Sequence, residues 1–154
     1  MNSIQREWFR CLIILCIHLM FLLCVLDLAQ AQTKKEIERI IREVAEAKGF
    51  DPDLAVAIAI VESGLNPNAV GALGEIGVFQ LRPEFHDVHP GNVRRNVETA
   101  IQYLIWLQTR CKDYGEAFFI CFNHGPNRRV RDPIRFSYYL RVVSARSRFV
   151  ATGR

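Results

Sequence analysis

Nothing in the 154 residues spells a phosphate-binding loop, a dinucleotide fingerprint or a Ser–His–Asp order. Nucleotide chemistry and triad hydrolysis therefore have no support. Histidine is scarce, at four. Only His86 and His89 lie close together, and two histidines beside Asp87 in a Pro- and Gly-bearing loop are thin grounds for zinc. No metal and no other cofactor is expected. Internal repeats, low-complexity stretches and linkers are also missing, so the length fits one domain. Cysteine is thinly spread: Cys11, Cys16 and Cys24 fall in the first 28 residues, and only Cys111 and Cys121 follow. Those two suffice for one bridge. With Gly115 between them they suit two helices meeting across a tight turn. Two buried thiols, packing as small apolar groups, are the other reading.

What is present begins with an apolar run. Arg6 and Arg10 precede Cys11–Leu28, which only His18 and Asp27 interrupt. Ala29-Gln30-Ala31 then places small residues where a signal peptidase reads them. Residues 1–31 are expected to be a signal peptide cleaved after Ala31, leaving residues 32–154 as an exported, periplasmic domain. An uncleaved membrane anchor is the alternative, since the run is at the short edge of a spanning helix. None of the three cysteines sits in a lipid-attachment pattern. Export would also place Cys111 and Cys121 where disulfides persist.

The chain carries 20 basic and 16 acidic residues, a net charge of +4. The excess gathers at the end, where eight arginines follow from Arg128 against one acid, Asp132. This tail suits an anionic surface or a protein partner, or is a solvated helix face. Nucleic acid is not an expected partner.

Half of the residues are hydrophobic, and their spacing is mostly helical. Ile37, Ile40, Ile41, Val44 and Ala45 recur on one face of a helix over 34–48, ended by Gly49. Asp51 and Pro52 are a cap and first residue for a helix to Ser63. That helix is apolar nearly all round, so it should be buried on most sides. The Gly-rich stretch 64–81 turns sharply, with Ile76, Val78, Phe79 and Leu81 expected in short strands. A single helical turn is expected at 83–85. Further helices are read over 96–111, with Val97, Ala100, Ile101, Leu104, Ile105 and Gln108 on one face, and over 134–149. An apolar segment over 115–122 ends at Gly125-Pro126-Asn127. The fold class is mainly α with a small strand component.

Glu62 stands out on physical grounds. It ends the buried helix just before the Gly-rich turn. Apolar surroundings raise a carboxyl's pKa and keep it protonated near neutrality. Such an acid is what glycosidic cleavage needs, because the leaving oxygen must take a proton. Taken alone, a helix-end glutamate paired with arginine or facing water explains the position as well.

The neighbouring motifs change that balance. Glu62-Ser63-Gly64-Leu65-Asn66-Pro67, Gly74-Glu75-Ile76-Gly77-Val78-Phe79-Gln80 and Asn96-Val97-Glu98-Thr99-Ala100-Ile101-Gln102-Tyr103-Leu104 occur in order. Cys121-Phe122-Asn123-His124-Gly125-Pro126 and Tyr139-Leu140-Arg141-Val142-Val143 complete the series. Together they resemble the lysozyme-like lytic transglycosylases of the soluble-transglycosylase type, over about residues 36–143. The resemblance implies a compact lysozyme-like fold and cleavage of the β-1,4 bond between N-acetylmuramic acid and N-acetylglucosamine in peptidoglycan. It implies Glu62 as a single acid and base, giving 1,6-anhydro ends without water. Substrate contacts are implied at Ser63, Gly77, Gln80, Phe122, Asn123, Gly125 and Tyr139. Such short members often open the wall locally for a secretion, conjugation or pilus assembly.

Several positions depart from the family pattern. Phe122 stands where a tyrosine is usual, so that phenol is absent there, and Tyr139, Tyr138 and Tyr103 are candidates to supply one instead. His124 replaces a small alanine and is read as filling space, and Ala100 replaces a helix glycine. Glu75 offers a second carboxylate. If it activates water, the reaction becomes hydrolytic, as in a muramidase; otherwise it binds amides in its own turn. A wall-binding scaffold with weak activity is the remaining reading.

Overall fold

The computed structural model describes residues 3–89, 91–126 and 133–151. The helices are α1 (Ser3–Ala47), α2 (Pro52–Ser63), α3 (Val93–Arg110), α4 (Ile120–His124) and α5 (Pro133–Ala151), with a 3₁₀ stretch at Lys112–Phe119. The chain divides into two units, Met1–Glu36 and Ile37–Arg154. In the first, large apolar side chains between Ile13 and Leu26 are exposed. Among the described residues, no helix is long and apolar enough to cross a membrane. Asn127, and Arg128, Arg129, Arg131 and Arg154 of the basic tail, lie outside the described residues.

The second unit is mainly α and is built around α2. Asp51 caps it, its Oδ1 accepting from Asp53 N at 2.9 Å and Leu54 N at 3.0 Å. Pro52 follows as first residue, where its missing N–H costs nothing. Every side chain from Leu54 to Ala59 is buried, as an all-apolar helix requires. α5 packs along α2. Ion pairs fix the start of α2 from two sides: Arg42 of α1 donates to Asp53 at 2.7 Å, and Arg146 of α5 pairs with Asp51. Ile37, Ile41, Val44 and Ala45 of α1 enter the same core.

The strand expectation at 64–81 is corrected. Among the described residues only two antiparallel bridges form there, Val70 with Ile76 and Ile76 with Leu81. The cause is in the backbone. Gly74, Gly77 and even Gln80 take positive φ (85°, 77° and 48°), and the chain turns too often to extend a ladder. α3 begins three residues before the expected Asn96, because Asn92 caps it through a bond from Arg95 N at 3.0 Å. Leu107, not Gln108, completes its buried face with Val97, Ala100, Ile101 and Leu104. Residues 83–85 form a turn closed by Phe85 N and His86 N on Arg82 O.

Cys111 and Cys121 are joined, with their Cα atoms 6.8 Å apart. Cys111 caps the end of α3 and Cys121 lies in α4. Between them the 3₁₀ stretch is broken at Gly115, whose φ of 55° and ψ of −129° reverse the chain. A double Cys111→Ser, Cys121→Ser variant is expected to lose about 3 kcal/mol or less, because the loop it opens is short. Thermal melting should show a drop of several degrees. Alkylation of unreduced protein followed by peptide mapping should leave both cysteines unlabelled; labelled cysteines would disprove the bridge.

Candidate active site

Glu62 occupies the last turn of α2. Gly64 closes the helix in the left-handed region (φ 63°, ψ 32°), its N–H returning to Ile60 O at 2.9 Å. The chain therefore reverses two residues after Glu62 and leaves its carboxyl in a cleft of about 480 Å³. Burial is the largest influence on this group and pushes its pKa up from 4.5 to about 7. Two groups oppose that rise. Tyr138 Oη donates to Glu62 Oε1 at 2.7 Å, and the Arg141 charge lies near; the Glu75 carboxylate adds a smaller upward push.

Tyr138 is itself almost wholly buried, and burial with the Glu62 carboxylate beside it raises its own pKa well above the ordinary phenol value. It therefore stays a neutral donor. The Arg141 guanidinium lies over its ring, 5.7 Å from the centroid.

The cleft wall gathers Glu75, Gln80, Phe122, Asn123 and Gly125 with Glu62. Glu75 reaches it from the Gly-rich turn, where its Oε2 accepts from Leu73 N at 2.9 Å. Gln80 donates to Gly77 O at 2.9 Å and Ala69 O at 3.2 Å. It thus holds the turn closed rather than bonding Glu62. Gly71 makes room for both: a Cβ there would strike the Glu75 carboxylate and come within 2.8 Å of Gln80 Oε1. Phe122 packs edge-on to Phe79 and against Tyr103, an apolar wall near the acid.

Three of the anticipated substrate contacts are placed otherwise. Ser63 Oγ donates to Val78 O at 2.8 Å and accepts from Asn66 N at 3.1 Å. It ties the end of α2 to the turn. Gly77 faces Pro67 O and the buried Asn96 amide, which a Cβ would meet at 3.5 and 3.6 Å, ordinary contact distances. Tyr139 stacks on Phe119 with centroids 5.7 Å apart. The register of the last motif is thus one residue early relative to the sequence reading. Tyr138, Val142 and Ala145 form the buried face, and Val143 is exposed. Spacing at i, i+4 and i+7 from Tyr138 is the signal that finds it.

Other residues also line the cleft. Tyr103, His86, Phe85 and Arg82 form its far wall, and His124 joins Asn123 on α4, so this histidine faces the cleft. His86 packs on Tyr103 with ring centroids 4.5 Å apart, while His89 pairs with Asp87 at 3.0 Å.

Comparison with known proteins identifies the family. The profile of the transglycosylase SLT domain matches residues 39–135. The endo-type membrane-bound lytic murein transglycosylases A of Salmonella paratyphi B and Salmonella typhimurium are each 34% identical over 107 residues. That alignment covers 68% of this chain and 51% of theirs, so the chain spans about half the length of these curated relatives. The matched stretch contains Glu62, the Gly-rich turn, α3 and the α4 side of the cleft. The chain belongs to the transglycosylase SLT domain family of lysozyme-like lytic transglycosylases.

Proposed function

We propose that this chain cleaves the β-1,4 bond between N-acetylmuramic acid and N-acetylglucosamine in peptidoglycan without water. The observation that carries the proposal is Glu62, an acid poised near pH 7 in an open cleft and held by one phenol. In the first step its proton passes to the glycosidic oxygen as the C1–O bond breaks, and N-acetylglucosamine leaves as an alcohol. In the second, the resulting carboxylate takes the proton of the muramoyl C6 hydroxyl, whose oxygen bonds to C1. The product is a 1,6-anhydro ring, and Glu62 is again protonated. One group with a pKa near the working pH serves both steps well. Tyr138 donates to the carboxylate that exists between them.

Glu75 shares the cleft, so hydrolysis is the competing reading. Its bond to Leu73 N supports a bracing role instead. Mass spectrometry of muropeptides released by the purified protein separates the cases. Anhydro ends are expected. Reducing ends would make it a hydrolase through Glu62 and Glu75, and no release would make it a scaffold.

We further read residues 1–31 as the export signal that delivers the domain to the periplasm, where it would open the wall locally for a secretion, conjugation or pilus assembly. The relatives' name, membrane-bound, supports an envelope setting. N-terminal sequencing of exported protein is expected to begin at Gln32. An intact chain recovered in membranes would mean the segment anchors instead.

A further inference from the structure

A second groove, of about 680 Å³, adjoins the cleft and shares Phe85, His86 and Tyr103 with it. It runs along α3 past Gln102 and Trp106 toward Lys48. Two features define its chemistry. Tyr103 and Trp106 stack with ring centroids 5.7 Å apart and planes at 16°, so Tyr103 backs the half-exposed Trp106 ring. Trp106 is 49% exposed despite its size, and Phe85 opposite is 71% exposed. A large exposed aromatic costs hydration that a bound ligand would recover.

The charges around this face compensate one another. Arg95 lies 3.5 Å from Asp87, Lys48 Nζ donates to Gln102 at 3.5 Å, and Glu98 also lines the groove. The groove is lined by two cations and two acids, so it suits a neutral ligand rather than an anion or cation. A neutral pyranose fits both features. Its C–H face is apolar and weakly positive, which matches the negative face of an aromatic ring. Its hydroxyl and acetamido groups suit amide and hydroxyl side chains such as Gln102 and Thr99 at the rim.

We propose that this groove is a distal saccharide subsite in which a neutral N-acetylglucosamine-type residue of the glycan stacks on the exposed Trp106 ring, which Tyr103 backs. The inference rests on the reading of the Glu62 cleft as a glycan site. It adds a grip several sugars from the cut, and so a preference for longer strands.

The test uses the full chain carrying Glu62→Gln, so that ligands persist, with N-acetylglucosamine oligomers as probes. Trp8 and Trp106 are the only tryptophans, so adding Trp8→Phe makes Trp106 the sole fluorophore. A hexamer is expected to shift its emission, and a trimer, short enough for the cleft alone, is not. By calorimetry, Trp106→Ala should weaken hexamer binding about fivefold or more, on the scale of one aromatic stack. Trimer binding should stay unchanged, and Trp106→Phe should recover part of the loss. If Trp106→Ala binds both oligomers as tightly as its parent, the subsite is wrong while the cleft stands. If the parent binds neither, the glycan reading of the cleft falls and the inference falls with it. If Trp106→Ala weakens only fragments bearing stem peptides, the groove holds peptide and the saccharide assignment is overturned.

Discussion

Glu62→Gln is expected to remove nearly all wall cleavage and, at the same time, to make the protein more stable above neutral pH. The first effect follows from the double use of one group. General acid–base catalysis supplies about 10²–10⁴-fold, and here the same carboxyl serves both steps, so the loss should reach the top of that range. Binding should survive, because glutamine keeps the size of Glu62 and can still accept from Tyr138. The second effect follows from linkage. In the folded chain Glu62 holds its proton up to about pH 7, whereas in the unfolded chain it releases it near the ordinary 4.5. Between those values the folded state binds more protons, so stability falls as pH rises through the window. The burial that poises the acid is worth up to about 3 kcal/mol of destabilisation above pH 7. Glutamine carries no such cost. Denaturant melts of the two proteins should converge near pH 4.5 and separate by pH 8, with the variant the more stable. A variant that releases anhydro-muropeptides at near the parent rate would end the assignment of Glu62. A variant less stable at pH 8 than its parent would mean that Glu62 is not held protonated by burial.

The parts of this molecule that local rules govern were legible from the residues. Asp51-Pro52 starts α2 and Gly64 ends it, because caps and turns are short-range chemistry. A helix of Leu, Ala, Val and Ile with no polar face has to be buried, and the acid at its end is conspicuous for that reason. The turn at 64–81 was less legible. Glycine marks flexibility in sequence, but which way Gly74 and Gly77 send the chain depends on what Gln80 and Ser63 bind. Both residues are drawn into closing the turn, bonds that a motif position alone does not announce. The misplaced register on α5 has a similar source. Tyr138 and Tyr139 are adjacent, and a five-residue motif fits either. Only the full buried face, running on to Val142 and Ala145, distinguishes them. The aromatic groove beside the cleft was not legible at all. Tyr103 and Trp106 share a helix face at i, i+3, but Phe85 and His86 meet them only through the fold.

Tyr138→Phe tests the hydrogen bond that Glu62 accepts from Tyr138, and its largest effect should appear in the pH profile. Cleavage begins with Glu62 protonated, so kcat/KM should fall as pH rises past about 7 in the parent. The Tyr138 hydroxyl donates to the carboxyl oxygen at 2.7 Å and favours the charged form. Its removal leaves burial and Glu75 pushing the pKa up, with only Arg141 pulling it down. A hydrogen bond to a charged group is worth about 1.5–3 kcal/mol, which corresponds to about one to two pH units. The alkaline limb should therefore move upward by about that amount. The rate on the plateau should fall by about 10- to 100-fold, because a carboxyl free to rotate is no longer aligned with the glycosidic oxygen. Substrate binding should change little, since Tyr138 lies behind Glu62 and not on the cleft wall. A merely structural role for Tyr138 would lower the amount of active enzyme and leave the limb where it was. A limb that stays near pH 7, or moves to lower pH, would show that this phenol does not hold the carboxylate in solution.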